Sequence, residues 1–181
     1  RATSSPFLVL SHQQNMKALL LVTSLFFLHS AFARGVYQTP ESFLNHSFAG
    51  NTPKSSTIWL NKENKRVISD ILHHSPRFFR VKYWQQGETS VWILNEVGKE
   101  KLITVGVVIE NSSIKRLKVL AFRESRGWEV KHEFFTRQFN GLTINPQHAL
   151  NQHIDGISGA TLSVRALKKI ARISLYLEQQ L

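Results

Sequence analysis

Asp155, Ser158, Thr161 and Ser163 place one carboxylate and three hydroxyls in a short stretch, interleaved with Gly156, Gly159 and Ala160. Val164 to Leu177 follows with helical periodicity, so the stretch is a small-residue turn feeding a helix N-terminus. The first turn of a helix leaves backbone N–H groups unpaired, and the helix dipole adds partial positive charge there. The glycines and Ala160 keep bulk away, so a large group can approach the backbone. A phosphate suits such a place. No Lys follows as in a P-loop, and the Gly-x-Gly-x-x-Gly spacing is absent. An ordinary N-cap by Ser158 or Thr161 fits the same residues. On residue types alone both readings stand.

Little else in the chain suggests chemistry. Cysteine is absent, which excludes disulfides, thiolate metal sites, iron–sulfur clusters and C-x-x-C-H haem attachment. A redox role would need an organic cofactor or non-covalently held haem. His73 and His74 are adjacent and cannot share a helix face, so they read as surface residues. His46, His132, His148 and His153 show no ligand spacing. No nucleophile–base pair or metal site stands out, so no residue is assigned as catalytic.

The elements that position this turn come next. The 181 residues suggest one domain, and 42% hydrophobic content supports a core. Net charge is +11, which points to nucleic acid, an anionic membrane surface or an acidic protein partner. Met16 is the single methionine; Lys17, an apolar run from Ala18 to Leu28 and Ala31-Phe32-Ala33 follow it. That is the layout of a signal peptide over 16–33, cut after Ala33, with residues 1–15 upstream of the true start. The apolar run is short for a membrane span. Residues 1–33 hold Arg1 and Lys17 and no acid, leaving 21 basic and 12 acidic residues, a balance of +9, in the mature chain. A secreted, periplasmic protein has little access to nucleic acid. The charge therefore faces a redox partner or makes peripheral contact with a membrane.

Thr39 as N-cap and Pro40 at the first helical position start a short helix that ends near Gly50. Asn51 to Ser56 reads as a polar loop. Lys62 to His74 forms a second helix, with Val67, Ile68, Ile71 and Leu72 on one stripe and Pro76 as its stop. Residues 34–76 are thus an N-terminal helical segment, and residues 77–181 carry the main domain. Phe79, Val81 and Tyr83 alternate with Arg80, Lys82 and Trp84. Ser90–Glu96, Leu102–Ile109 and Ile114–Phe122 follow as strands, joined by turns at Gln86-Gly87-Glu88, Gly98-Lys99 and Asn111-Ser112-Ser113. In the last strand Ile114, Leu117 (after a bulge), Val119 and Ala121 face inward. Four strands on short turns make an antiparallel meander, and with helices at both ends the class is α+β.

Asp155-Gly-Ile-Ser-Gly-Ala-Thr161-Leu-Ser163 closely resembles the flavinylation motif of the FMN-binding domain family. This family includes the flavin-carrying subunits of the sodium-pumping NADH:quinone oxidoreductase and of Rnf-type complexes, and free-standing secreted members. The resemblance extends through Gly106–Glu110, Ile114–Leu120, Glu124–Val130 and Phe134–Gly141, and covers about residues 101–177. Members of membrane complexes carry an N-terminal anchor, whereas the apolar segment here looks cleavable, so the chain reads as a free-standing secreted member.

The resemblance implies FMN bound through a phosphoester to Thr161, loaded from FAD by a dedicated flavin transferase. It further implies that Asp155, Ser158, Gly159 and Ala160 form the attachment turn, that Ser163 supports it, and that Glu124 sits in a turn near the cofactor. Arg165 lies four residues past Thr161, on the same helix face, where it either reaches the phosphate or is a solvated surface residue. Arg165, Lys168, Lys169 and Arg172 form a basic stripe, a pattern typical of a solvated face. Trp84, Trp92 and Trp128 offer rings to the isoalloxazine or to the core. The expected function is periplasmic electron transfer through covalent FMN, with a membrane or periplasmic cytochrome or reductase as redox partner. The alternatives are a flavin-dependent reductase acting on a small substrate and a redox-inert basic binding module.

Overall fold

Thr39 Oγ1 accepts a hydrogen bond from the Ser42 N–H at 3.1 Å, and helix α1 (Pro40–Ser47) starts there, as its Thr-Pro sequence dictates. The structure, a computed structural model, describes residues 35–181. The expected upstream extension, signal peptide and cleavage site lie outside the described residues. Among those residues, no helix is long and apolar enough to cross a membrane.

Helix α2 (Lys62–Leu72) begins at Asn61, whose Oδ1 accepts from the Asn64 N–H at 2.7 Å. Its predicted stripe of Val67, Ile68, Ile71 and Leu72 is buried. The helix stops before Pro76 because His73 turns left-handed, at φ 60°, and its N–H bonds to the Ser69 carbonyl.

Five strands form one antiparallel sheet in the order β1-β2-β3-β4-β5: β1 (Ser56–Trp59), β2 (Arg80–Gln86), β3 (Thr89–Val97), β4 (Leu102–Glu110) and β5 (Ser113–Phe122). Strand β1 is the addition to the expected meander. It is short and lies at the sheet edge, so its four residues carry too little alternation to announce a strand. It pairs Ile58 with Val81, which draws residues 35–76 into the same body as the rest of the described chain. Asn111 and Ser112, at φ 50° and 59°, make the two-residue turn between β4 and β5.

The bulge expected before Leu117 is present: Val108 pairs with Arg116 but Ile109 pairs with Ile114. A second bulge at Leu120, between the Val105–Val119 and Thr104–Ala121 pairs, overturns the expected inward face of Ala121. An extra residue flips the alternation. Leu120 therefore packs with the second core, and Phe122 rather than Ala121 returns to the main core.

A one-turn helix, α3 (Glu133–Thr136), follows the sheet; the main core lies between one face of the sheet and helices α2 and α4 (Thr161–Glu178), and includes Trp92, Ile103, Leu167 and Ile170. Helix α1 covers part of the other face with Phe43, Leu44 and Phe48. Gly106 makes that docking feasible, because a Cβ there would sit 2.4 Å from Phe43 Cε1. Tyr176 Oη of α4 donates to Asn64 Oδ1 of α2 at 3.0 Å, a buried tie between the two helices. At the far end of α4, Glu178 accepts from Trp92 Nε1 at 3.1 Å and from the Ser90 hydroxyl. These ties hold α4, and with it the turn at its N-terminus.

Candidate functional site

The turn over residues 155–163 is pinned at both sides and open in the middle. Ile154 and Ala160 are buried, whereas Asp155, Gly156, Ser158 and Gly159 are exposed. The Ala160 N–H bonds to the Ile157 carbonyl at 3.0 Å, closing the turn. Gly159 takes φ 81°, a left-handed conformation that favours glycine. A Cβ built on Gly156 or Gly159 meets nothing within 4 Å, so the turn borders open space at both glycines.

Helix α4 starts at Thr161, three residues before its predicted onset. Thr161 is exposed at the first helical position. The N-cap is Ala160, and no side chain bonds the free N–H groups of the first turn. This corrects the ordinary capping reading: neither Ser158 nor Thr161 caps the helix. The donors of the first turn remain available beside an exposed hydroxyl, an arrangement suited to a phosphate ester.

The neighbours of the turn come from distant sequence. Gln138 Oε1 accepts from the Asp155 N–H at 2.7 Å, so the single-turn helix Arg137–Phe139 holds the start of the motif. Nothing in the sequence singled out Gln138. Asp155 also lies 3.9 Å from His153, an exposed contact of little strength. Ser163 is buried against Gly127, at φ 82°, where a Cβ would stand 2.6 Å from Ser163 Oγ and 3.3 Å from Ala160 Cα. Gly127 opens the tight turn Trp128–Lys131, so Trp128 lies beside the α4 start and is 46% exposed. His132 lies edge-on to Trp128 at 5.3 Å and stacks on the exposed Phe134 at 6.1 Å. This aromatic row was not read from the sequence, because its members become neighbours only in the folded 128–134 segment.

The other two indoles are placed differently. Trp92 is fully buried and stacks on Tyr83 at 5.1 Å, so it is a core residue rather than a flavin contact. Trp84 is half-buried against the second core.

Glu124 does a specific job: its Oε1 accepts from the N–H groups of Lys99, Glu100 and Lys101 at 2.5, 2.7 and 2.9 Å. It thereby closes the turn between β3 and β4. Partial burial pushes this carboxyl upward, but the three N–H groups and Lys99 outweigh burial and hold it below the usual range.

The basic stripe on α4 divides. Lys169 Nζ lies 2.9 Å from the buried Glu96, which His74 also approaches at 3.3 Å. Arg172 is half-buried, and its Nε donates to the His148 carbonyl. Burial lowers the Arg172 pKa. Arg165 is exposed and lines a groove with Ile71 of α2 and His73 just after it. The stripe is therefore part structural rather than one solvated face. Among the described residues, no group of three His, Asp or Glu side chains is arranged to hold a metal.

Residues 98–175 match the model of the FMN-binding domain family. This span runs from the turn closed by Glu124 through the 155–163 turn and most of α4. No curated protein matches the chain.

Proposed function

Residues 98–175 belonging to the FMN-binding domain family, we propose that this flavin-binding protein carries FMN covalently, through a phosphoester to Thr161 Oγ1, and transfers electrons in the periplasm. The observation that carries the reading is the uncapped start of α4. Thr161 offers an exposed hydroxyl where free backbone N–H groups and open space adjoin it. FMN supplies reversible uptake of one or two electrons; the chain supplies placement and tuning. The N–H groups of the first turn neutralise phosphate charge, and Gly156 and Gly159 leave room for the cofactor. Trp128 is the aromatic face best placed for the isoalloxazine, since Gly127 packs on Ser163 and Ala160.

Maturation calls for an FAD-dependent flavin transferase, and function for a membrane or periplasmic redox partner with an acidic face that suits the positive charge of the chain. Co-expression with a flavin transferase, followed by intact mass and in-gel flavin fluorescence, tests the attachment. A mass increase of one FMN that survives denaturation is expected. A colourless protein of unmodified mass would refute the reading.

A further inference from the structure

A cleft of about 510 Å³ lies between α1, β5 and the 131–140 segment. Thr161 does not line it. Lys115, Arg116, Lys118, Lys131 and Arg137 do, against the single carboxylate of Glu133. Lys115 is spent on Glu110 at 2.7 Å, and Arg137 faces Glu133 at 3.8 Å. Arg116, Lys118 and Lys131 make no ion pair among the described residues. A neighbouring cavity of about 330 Å³ shares His46, Arg116 and Lys118.

Two of the three unpaired cations are held in place. The Arg116 guanidinium lies 5.4 Å over the Phe43 ring, and its Nη2 donates to Ser47 Oγ at 3.0 Å. Lys131 Nζ sits 4.2 Å over Tyr37 and 5.1 Å over Trp128. Aromatic faces thus fix cationic heads on two walls of one cleft. Gathering like charges this way destabilises the folded chain unless an anion relieves them. A phosphate oxygen accepts well from both groups, bidentately from Arg and as a point charge from Lys. Three free cations call for more than one negative charge. The volume exceeds what a bare phosphate needs and falls in the range of about 300–1,000 Å³ for organic ligands. Val108 adds apolar lining for a carbon framework.

We propose that this cleft binds an organic diphosphate of nucleotide size through Arg116, Lys118 and Lys131.

Isothermal titration of the full chain with ADP, at fixed ionic strength, tests this, with inorganic phosphate as the smaller probe. One ADP per chain is expected, with phosphate binding more weakly. Arg116→Gln and Lys131→Gln should each weaken ADP roughly tenfold or more, the worth of one charge-assisted hydrogen bond. Lys118→Gln removes a side chain with no folded partner, so it reports on binding even where loss of the Arg116 contact disturbs α1. Lys168→Gln, in a separate groove, should change the affinity less than twofold. The proposal is overturned by absence of saturable ADP binding. Equal weakening by Lys168→Gln also overturns it, since that marks diffuse surface charge. So does association with phosphatidylglycerol vesicles without any ADP binding.

Discussion

Gly127 packs directly on Ser163: a Cβ at Gly127 would stand 2.6 Å from Ser163 Oγ, and the backbone there is left-handed at φ 82°. This contact joins the turn after β5 to the start of α4. It carries Trp128 to the edge of the 155–163 turn. Both residues are small because the two backbones meet there.

Gly127→Ala should therefore cost about 2 kcal/mol, from the left-handed strain and the steric overlap together. Gly141 also has positive φ, 77°, but open space around its Cβ, so Gly141→Ala should cost only the strain, about 1 kcal/mol. Thermal melts of the two variants check the difference. Equal losses would show that the packing on Ser163 contributes nothing.

Thr161→Ala should fold with a loss under about 1 kcal/mol, because Thr161 does not cap α4. It should carry no covalent flavin after co-expression with the transferase. Ser158→Ala and Ser163→Ala should keep the flavin. Thr161→Ser should be flavinylated poorly, since loss of the methyl frees the rotamer. Intact mass of each variant decides, and covalent FMN on Thr161→Ala would move the site to another hydroxyl.

The Glu124 carboxyl has a lowered folded pKa, so its contribution is present above the unfolded value near 4.5 and is lost as pH falls through the folded value. Below pH 4.5 the parent should lose stability more steeply than Glu124→Gln. At neutral pH the variant should be less stable by about 1–2 kcal/mol, because an amide oxygen accepts less strongly from three N–H groups. Denaturant melts at several pH values give both quantities. Parallel pH profiles would show that Glu124 does not hold the β3–β4 turn.

Lys168 and Lys169 are adjacent but unequal. Lys169→Glu would set a second carboxylate against the buried Glu96 and should cost roughly 3 kcal/mol. Lys168→Glu should cost less than about 0.5 kcal/mol. Only the Lys168 change is then a clean probe of docking by this helix. Chemical denaturation separates the two, and equal stabilities would mean the Glu96 contact is slack.

The exported protein should begin at Arg34, after Ala31-Phe32-Ala33. N-terminal sequencing of periplasmic material is the check. A chain that keeps Leu19 to Leu28 in the membrane would overturn the secreted reading.

Local sequence determined much of this protein. The hydrophobic stripe of α2, the Thr39-Pro40 helix start, the four long strands and the bulge before Leu117 all follow from short-range pattern. So does the open turn over residues 155–163, since Gly156 and Gly159 act through their own backbone. Tertiary structure decided the rest, because it rests on contacts between distant residues. β1 exists through pairing with β2, and the bulge at Leu120 sends Phe122 inward while Leu120 meets Phe43. Glu124 was legible as part of a turn, but its three N–H partners lie more than twenty residues away. Trp92 and Trp128 are the same residue type, each able to stack on a flavin or join a core. The fold buries one under α4 and leaves the other exposed near the α4 start, because burial depends on which segments pack together as well as on the residue's own chemistry.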